Sequence, residues 1–390
     1  MGTDRVNTKT VLRACALLLT LCFCAVAIAQ DAAKKPAAAA PKKAATKATK
    51  AAKAPVPTGP VLVWRGDHNI ARAFMKDWAA DYEKTGQGRI TLQPFSTISG
   101  LDAVSAGTAD IAGSSRPPMP GRVEEQTTNF LPIAWDGLVM ITSPKNPVSN
   151  LTLKQLHDIY LGQVTNWSDL GGAPGEIDLY GIAAPLDGNE YSLRDLLFHH
   201  GDQGVSVPRL YVNLDKLEEG MALDPRGLGL STYSSAHTNA ALKMMTIEGV
   251  APSTASIADG SYPLYSTLFL AAREDNKNHD AIVKFALYAQ TEPAQAVLRR
   301  HGLVPYSEGQ NLVTKQQERI AWIDERVRPG VTAAQYEASA TPTPVSAPNA
   351  TADFLTRMAP NAPETQEAKE RAARLQADKQ QAAEKPPSNR

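Results

Sequence analysis

Cysteine is nearly absent from this chain: Cys15, Cys22 and Cys24 are the only three in 390 residues. Past residue 24 no thiol is available for a disulfide, a thiolate metal site or a cysteine nucleophile. Long hydrophobic runs are equally scarce. The one candidate, residues 14–28, is shorter than the roughly 20 apolar residues that a bilayer span needs, and none follows it. Net charge is missing as well: 40 basic residues balance 40 acidic ones, so no basic face announces nucleic acid. Seven histidines are scattered without the His-x-x-x-His or carboxylate-paired spacing of a zinc site. No cofactor or metal is expected.

What is present begins with Arg5, Lys9 and Arg13 ahead of the apolar run, which closes on Ala27-Ile28-Ala29. That is the layout of a secretory signal, with cleavage expected near Ala29 and export to the periplasm. Leu21 and Phe23 stand before Cys22 and Cys24 where lipoprotein signals have a small residue, so no lipid is expected. Residues 30–58 consist almost wholly of Ala, Lys and Pro, too little apolar bulk to offset the entropy of ordering them. They read as a linker. Residues 332–390 run through Pro/Ala/Thr-rich segments into a charged stretch and read as a disordered tail. Residues 59–331 remain as the folded region.

In that region apolar runs alternate with amphipathic stretches. Val61-Leu62-Val63-Trp64 predicts a strand, and Ile70, Phe74 and Trp78, spaced by four, predict a helix with Asp67 or Asn69 at its N-cap. Strands are predicted at 89–95, 109–113, 133–142, 177–182, 228–232 and 263–272. Helices are predicted at 101–106, 153–161, 193–199, 281–290 and 293–301. The pattern is α/β throughout. Each early strand delivers hydroxyls, amides and backbone N–H groups to a helix start, the open-sheet position where ligands collect.

Five strings carry a resemblance: STISGLDAVSAGTADIAGSSRPP, IAWDGLVMITSPKNPVSNLTLKQLHDIYLGQVTNWSDLGG, DPRGLGLSTYS, EGVAPSTASIADGSYPLYSTLFL and AVLRRHGLVPY. In order and spacing they resemble the phosphate-binding-protein family, the substrate-binding subunits of phosphate ABC transporters. The second string is the most specific. The resemblance implies a type II periplasmic-binding-protein fold: lobe 1 from about 59–142 and 245–331, lobe 2 from about 143–244, and a ligand cleft between them. It implies a monomer that binds phosphate or a related small oxyanion and hands it to an ABC transporter permease, and no enzyme. A Ser115, His68 and Asp187 triad has no Gly-x-Ser-x-Gly context to support it.

Carried over position by position, the resemblance puts the family's hydroxyl after the first strand on Asn69. The serine of the Gly-Ser-rich turn falls on Thr97 with Ser99 beside it, and the residue ahead of the proline on Ser115. The second-lobe segment Arg-x-Asp-Gly-Ser-Gly-Thr aligns with APLDGNEYSLRDL, keeping Asp187 and Gly188. Pro185, Asn189, Glu190 and Tyr191 stand where the family has Arg, Ser, Gly and Thr. Asn69, Thr97, Ser99, Ser115, Asp187, Asn189 and Tyr191 are therefore the candidate ligand-binding residues. The bidentate arginine that suits an oxyanion is missing, and Glu190 adds a carboxylate that would repel one. Arg116, Arg194 and Arg65 are the candidate substitutes. A different reading, a non-transport sensor or interaction protein of the cell envelope, draws on that altered segment and on the two tails.

Overall fold

A computed structural model describes residues 59–329 apart from Pro120, Ala184 and Pro185. The expected signal, linker and tail, all three cysteines and the residue aligned with the family arginine lie outside the described residues.

Alternation of apolar and polar residues makes β1 (Val61–Asp67), which buries Leu62 and Trp64. Asp67 then turns its carboxylate onto the Asn69 N–H and caps α1 (His68–Ile70). A π-helical turn, Ala71–Met75, leads into α2 (Lys76–Lys84). Phe74, Trp78 and Tyr82 along this stretch all turn inward, as their spacing of four demands. Strands β2 (Arg89–Phe95) and β3 (Ile111–Ser114) flank β1 in parallel, with α3 (Thr97–Ser105) between them in sequence.

Strand β4 (Thr128–Thr142) is 15 residues long and serves two partners. The short β5 (Asn150–Leu151) follows, then α4 (Leu153–Tyr160), whose Thr152 and Gln155 form the capping box that its sequence suggests. Next come β6 (Asp178–Ile182), α5 (Gly188–Phe198), β7 (Arg209–Tyr211), α6 (Leu214–Leu223) and β8 (Gly227–Thr232). After α7 (Tyr233–Ala236), β9 (Lys243–Met244), β10 (Thr246–Ile247) and α8 (Thr254–Ala258), the chain returns as β11 (Tyr265–Arg273). It closes with α9 (His279–Ala289), α10 (Glu292–Arg300), β12 (Val304–Pro305), α11 (Gln310–Thr314) and α12 (Gln316–Val327).

The main sheet path is β2-β1-β3-β11-β4-β8-β6-β7. Residues 128–137 of β4 pair antiparallel with β11, and residues 138–142 pair with β8. One strand thus carries the chain from the first lobe into the second. Leu62, Trp64, Phe74, Trp78 and Phe285 centre one hydrophobic core, and Leu138, Ile141, Leu179, Leu217 and Leu228 belong to another.

The main departure from the sequence reading is at α5. The expected helix at 193–199 starts earlier, at Gly188, with Asp187 in the N-cap position. The segment aligned with the family's ligand loop is therefore the first turn of a helix.

Candidate functional site

β1, β2 and β3 are parallel and in register, Asp67 beside Phe95 and Gly66 beside Gly113, so their C-terminal ends share one edge. Asn69, Thr97 and Ser115 follow those ends and are all buried. The Thr97 and Ser115 hydroxyls lie 3.3 Å apart, and the Ser115 N–H donates to Thr97 Oγ1 at 3.2 Å. The Ser115 hydroxyl donates to Asp67 Oδ2, and the Asn69 N–H to Asp67 Oδ1 at 2.8 Å. Burial raises the Asp67 carboxyl above its ordinary range, partly offset by these donors.

The second lobe meets this set through the start of α5. Asp187 Oδ1 accepts the Thr97 N–H at 2.8 Å, and the Ile98 and Gly188 N–H groups are near enough to favour its charged form. The Thr97 and Ile98 N–H groups belong to the first turn of α3, where an anion is stabilised by free N–H groups and the helix dipole. Burial and then the negative Asp67 nearby push the Asp187 carboxyl up to about 7, against the pull of the neighbouring N–H groups. The Ser192 hydroxyl donates to the Ser115 carbonyl at 3.1 Å, a second tie between α5 and the end of β3.

Gly188 fits because it has no side chain. A methyl group there would lie 2.0 Å from Ser115 Oγ, 2.8 Å from Thr97 Oγ1 and 2.9 Å from Asp67 Oδ2. Beside this contact is a cavity of about 20 Å³ lined by Asp67, Asn69, Asp187, Asn189 and Glu190 among others. Asn189 is 3% exposed, and both its amide oxygen and its amide nitrogen are without a hydrogen-bond partner, as is Asn69 Oδ1.

Two candidates stand apart from the set. Ser99 spends its hydroxyl on the Ser96 carbonyl and amide in the α3 capping box. Tyr191 turns to the opposite side of α5, where Arg116 stacks on its ring at 5.3 Å and burial pushes its hydroxyl up to about 12. Nor do the substitute cations reach the Thr97–Ser115 pair. Arg116 is fully buried against Glu125, with Nη1–Oε2 at 3.0 Å and Nη2–Oε1 at 2.6 Å, and its Nε donates to the Leu186 carbonyl at 3.2 Å. Arg194 pairs with Glu190 at 3.3 Å, and Arg65 stays on β1 between Gln93 and Ala112. Glu190 is thus held by Arg194, and the carboxylates that face the hydroxyl pair are Asp67 and Asp187.

Sequence reasoning also missed a bridge at the cleft's side. His68 lies 3.0 Å and Arg72 2.5 Å from the carboxylate of Asp215, on the first turn of α6. The signal for α6 was present in Leu214, Leu217 and Met221, three apolar residues at helical spacing that are all buried.

Two α/β lobes joined by a shared strand, with parallel strands ending on the cleft between them, define a periplasmic-binding-protein fold. A family model for the PBP superfamily domain matches residues 45–292, and the chain belongs to that superfamily. The phosphate-binding protein PstS 2 of Streptococcus agalactiae serotype V is 29% identical over 121 residues, 31% of this chain and 41% of that protein. The match thus spans well under half of that relative's length. The phosphate-binding protein PstS of Borreliella burgdorferi is 21% identical over 253 residues, 62% of this chain and 89% of that protein.

Among solved structures, an ABC-type phosphate transport receptor from Vibrio cholerae aligns with TM-score 0.53 and 24% identity, covering 63% of this chain and 99% of that one. A putative phosphate ABC transporter substrate-binding protein with bound phosphate, from Clostridium perfringens, aligns with TM-score 0.56 and 21% identity over 63% of this chain and 99% of its own. These structures bear out the type II fold read from the sequence. The resemblance to phosphate-binding proteins is borne out by the relatives' names.

Proposed function

We propose that this protein is a periplasmic solute-binding protein whose cleft takes phosphate or a related small oxyanion and delivers it to an ABC transporter. The observation that carries this reading is the anion already held at the N-terminus of α3: a carboxylate rests on the Thr97 N–H beside the paired hydroxyls of Thr97 and Ser115. A site that binds one oxyanion through a backbone N–H, with neutral hydroxyls beside it, has the chemistry to bind another. The names of the relatives support the choice of phosphate.

In this reading Asn69, Thr97, Ser115 and Asn189 contact the solute, the lobes divide near residues 142 and 245, and the protein acts as a monomer after removal of its signal. Fluorescence titration against phosphate, arsenate, sulfate and phosphonates tests it. A saturable response to at least one of them, lost or weakened in Ser115→Ala, supports the reading. No response to any leaves the envelope sensor or interaction role in its place.

A further inference from the structure

The position of Asp187 says more than that the seat accepts anions. We propose that Asp187 is a tethered competitor: its carboxylate holds the seat at the α3 N-terminus, a solute oxyanion enters by displacing it, and Asp187 thereby sets the affinity of the cleft. This rests on the oxyanion reading above.

Three observations meet here. The Asp187 carboxylate accepts the Thr97 N–H and lies beside that of Ile98, both in the first turn of α3. Gly188, the next residue, rests directly on the hydroxyl pair, since even a methyl group would fall inside contact distance of Ser115, Thr97 and Asp67. The adjoining cavity, about 20 Å³, has room for roughly one water and none for a tetrahedral oxyanion. Solute and Asp187 therefore exclude each other.

The amide of Asn189 points to what displaces it. Asn189 is 3% exposed, lines that cavity and has neither amide atom paired. Buried polar groups are nearly always hydrogen-bonded, and this amide stands two residues beyond Asp187 on the same helix start. Backing the first turn of α5 away from α3 would clear the seat, leaving Thr97, Ile98 and Ser115 on one side of the entering anion and Asn189 facing it from across the cleft. The other charges facing the seat are Asp67 from β1, with His68 beside it, Glu190 held by Arg194 on α5, and Arg116 held by Glu125 beyond β3. None of these cations is left over to attract a solute as the family arginine would. A tethered carboxylate acts at a high effective concentration, and the measured affinity falls by the fraction of molecules whose seat is free.

The test is calorimetric titration of inorganic phosphate into the dialysed full chain at about pH 8, where Asp187 is ionised. Wild type is compared with Asp187→Asn and Asp187→Ser, both of which keep a good N-cap residue for α5. Each variant is expected to bind phosphate at least tenfold more tightly than wild type, or to bind it when wild type does not. Wild-type binding with unchanged or weaker binding in both folded variants overturns the tethered competitor and leaves the oxyanion reading standing. Absence of phosphate, arsenate and sulfate binding in all three proteins overturns both.

Discussion

Replacing Gly188 with Ala should prop the cleft open. The new Cβ would sit 2.0 Å from Ser115 Oγ, where ordinary contact begins at 3.4 Å. Rotating Ser115 is no remedy, because Thr97 Oγ1 and Asp67 Oδ2 stand at 2.8 and 2.9 Å behind it. All three obstacles belong to the first lobe and Gly188 to the second, so the clash exists only while the two are in contact. Overpacking of this kind costs about 1–3 kcal/mol, which shifts a closed-to-open equilibrium by roughly 5- to 150-fold. The fold of each lobe should not suffer. Gly188 opens α5 without a left-handed backbone, and Ala there reduces the entropy lost on folding. Small-angle scattering of the same full chain with and without the substitution should show a larger radius of gyration in Gly188→Ala at nearly unchanged Tm. Unchanged scattering with a large fall in Tm would refute the reasoning, since the strain would then be absorbed inside one rigid body.

Other outcomes follow from the same contacts. Ser115→Ala removes the hydroxyl that bridges Thr97 and Asp67; calorimetry should show phosphate binding weakened by about 1.5–3 kcal/mol, a factor of roughly ten or more. Glu125→Gln removes the negative charge paired with the fully buried Arg116; thermal unfolding should report a loss of about 3–5 kcal/mol, and a loss well below that would mean the amide oxygen, water or another acceptor suffices for Arg116. The Asp136 and Asp187 carboxyls are pushed up to about 6 and about 7, so the folded state holds their protons more tightly than the unfolded one. Their contribution to stability is full below their unfolded pKa and is lost as pH rises through those values. Denaturant titrations should therefore find Asp187→Asn gaining stability over wild type at about pH 8 and little at about pH 4. A pH-independent difference would contradict the assignment.

Much of this was legible in the sequence because it depended on neighbours along the chain. The expected strand at 89–95 is β2 as found, and Thr152 caps α4 with Gln155 as the local spacing suggests. Asn69, Thr97 and Ser115 gather at one edge because each follows a strand of the same parallel set. What was hidden depended on contacts across the fold. Thr97 and Asp187 are 90 residues apart, and no local pattern announces that a second-lobe carboxylate will settle on a first-lobe helix. Asn189 and Tyr191 were read as two groups facing one ligand, with Glu190 beside them as a carboxylate that would repel it. In a helix, successive side chains point about 100° apart, so Asn189 lines the cleft cavity, Glu190 meets Arg194 and Tyr191 lies under Arg116. Helix α12 escaped notice because one of its buried positions is Arg319, in step with Ile323 and Val327. An arginine on the inner face breaks the apolar period that a sequence reading relies on.

If the α3 N-terminus is an oxyanion seat, Asp187 and the solute occupy it in turn. Crystals grown in saturating phosphate test it most directly. A tetrahedral anion is expected on the Thr97 and Ile98 N–H groups and the Ser115 hydroxyl, with Asp187 withdrawn and Asn189 turned onto the anion. Asp187 still bonded to Thr97 under those conditions, with phosphate bound elsewhere or nowhere, would contradict it.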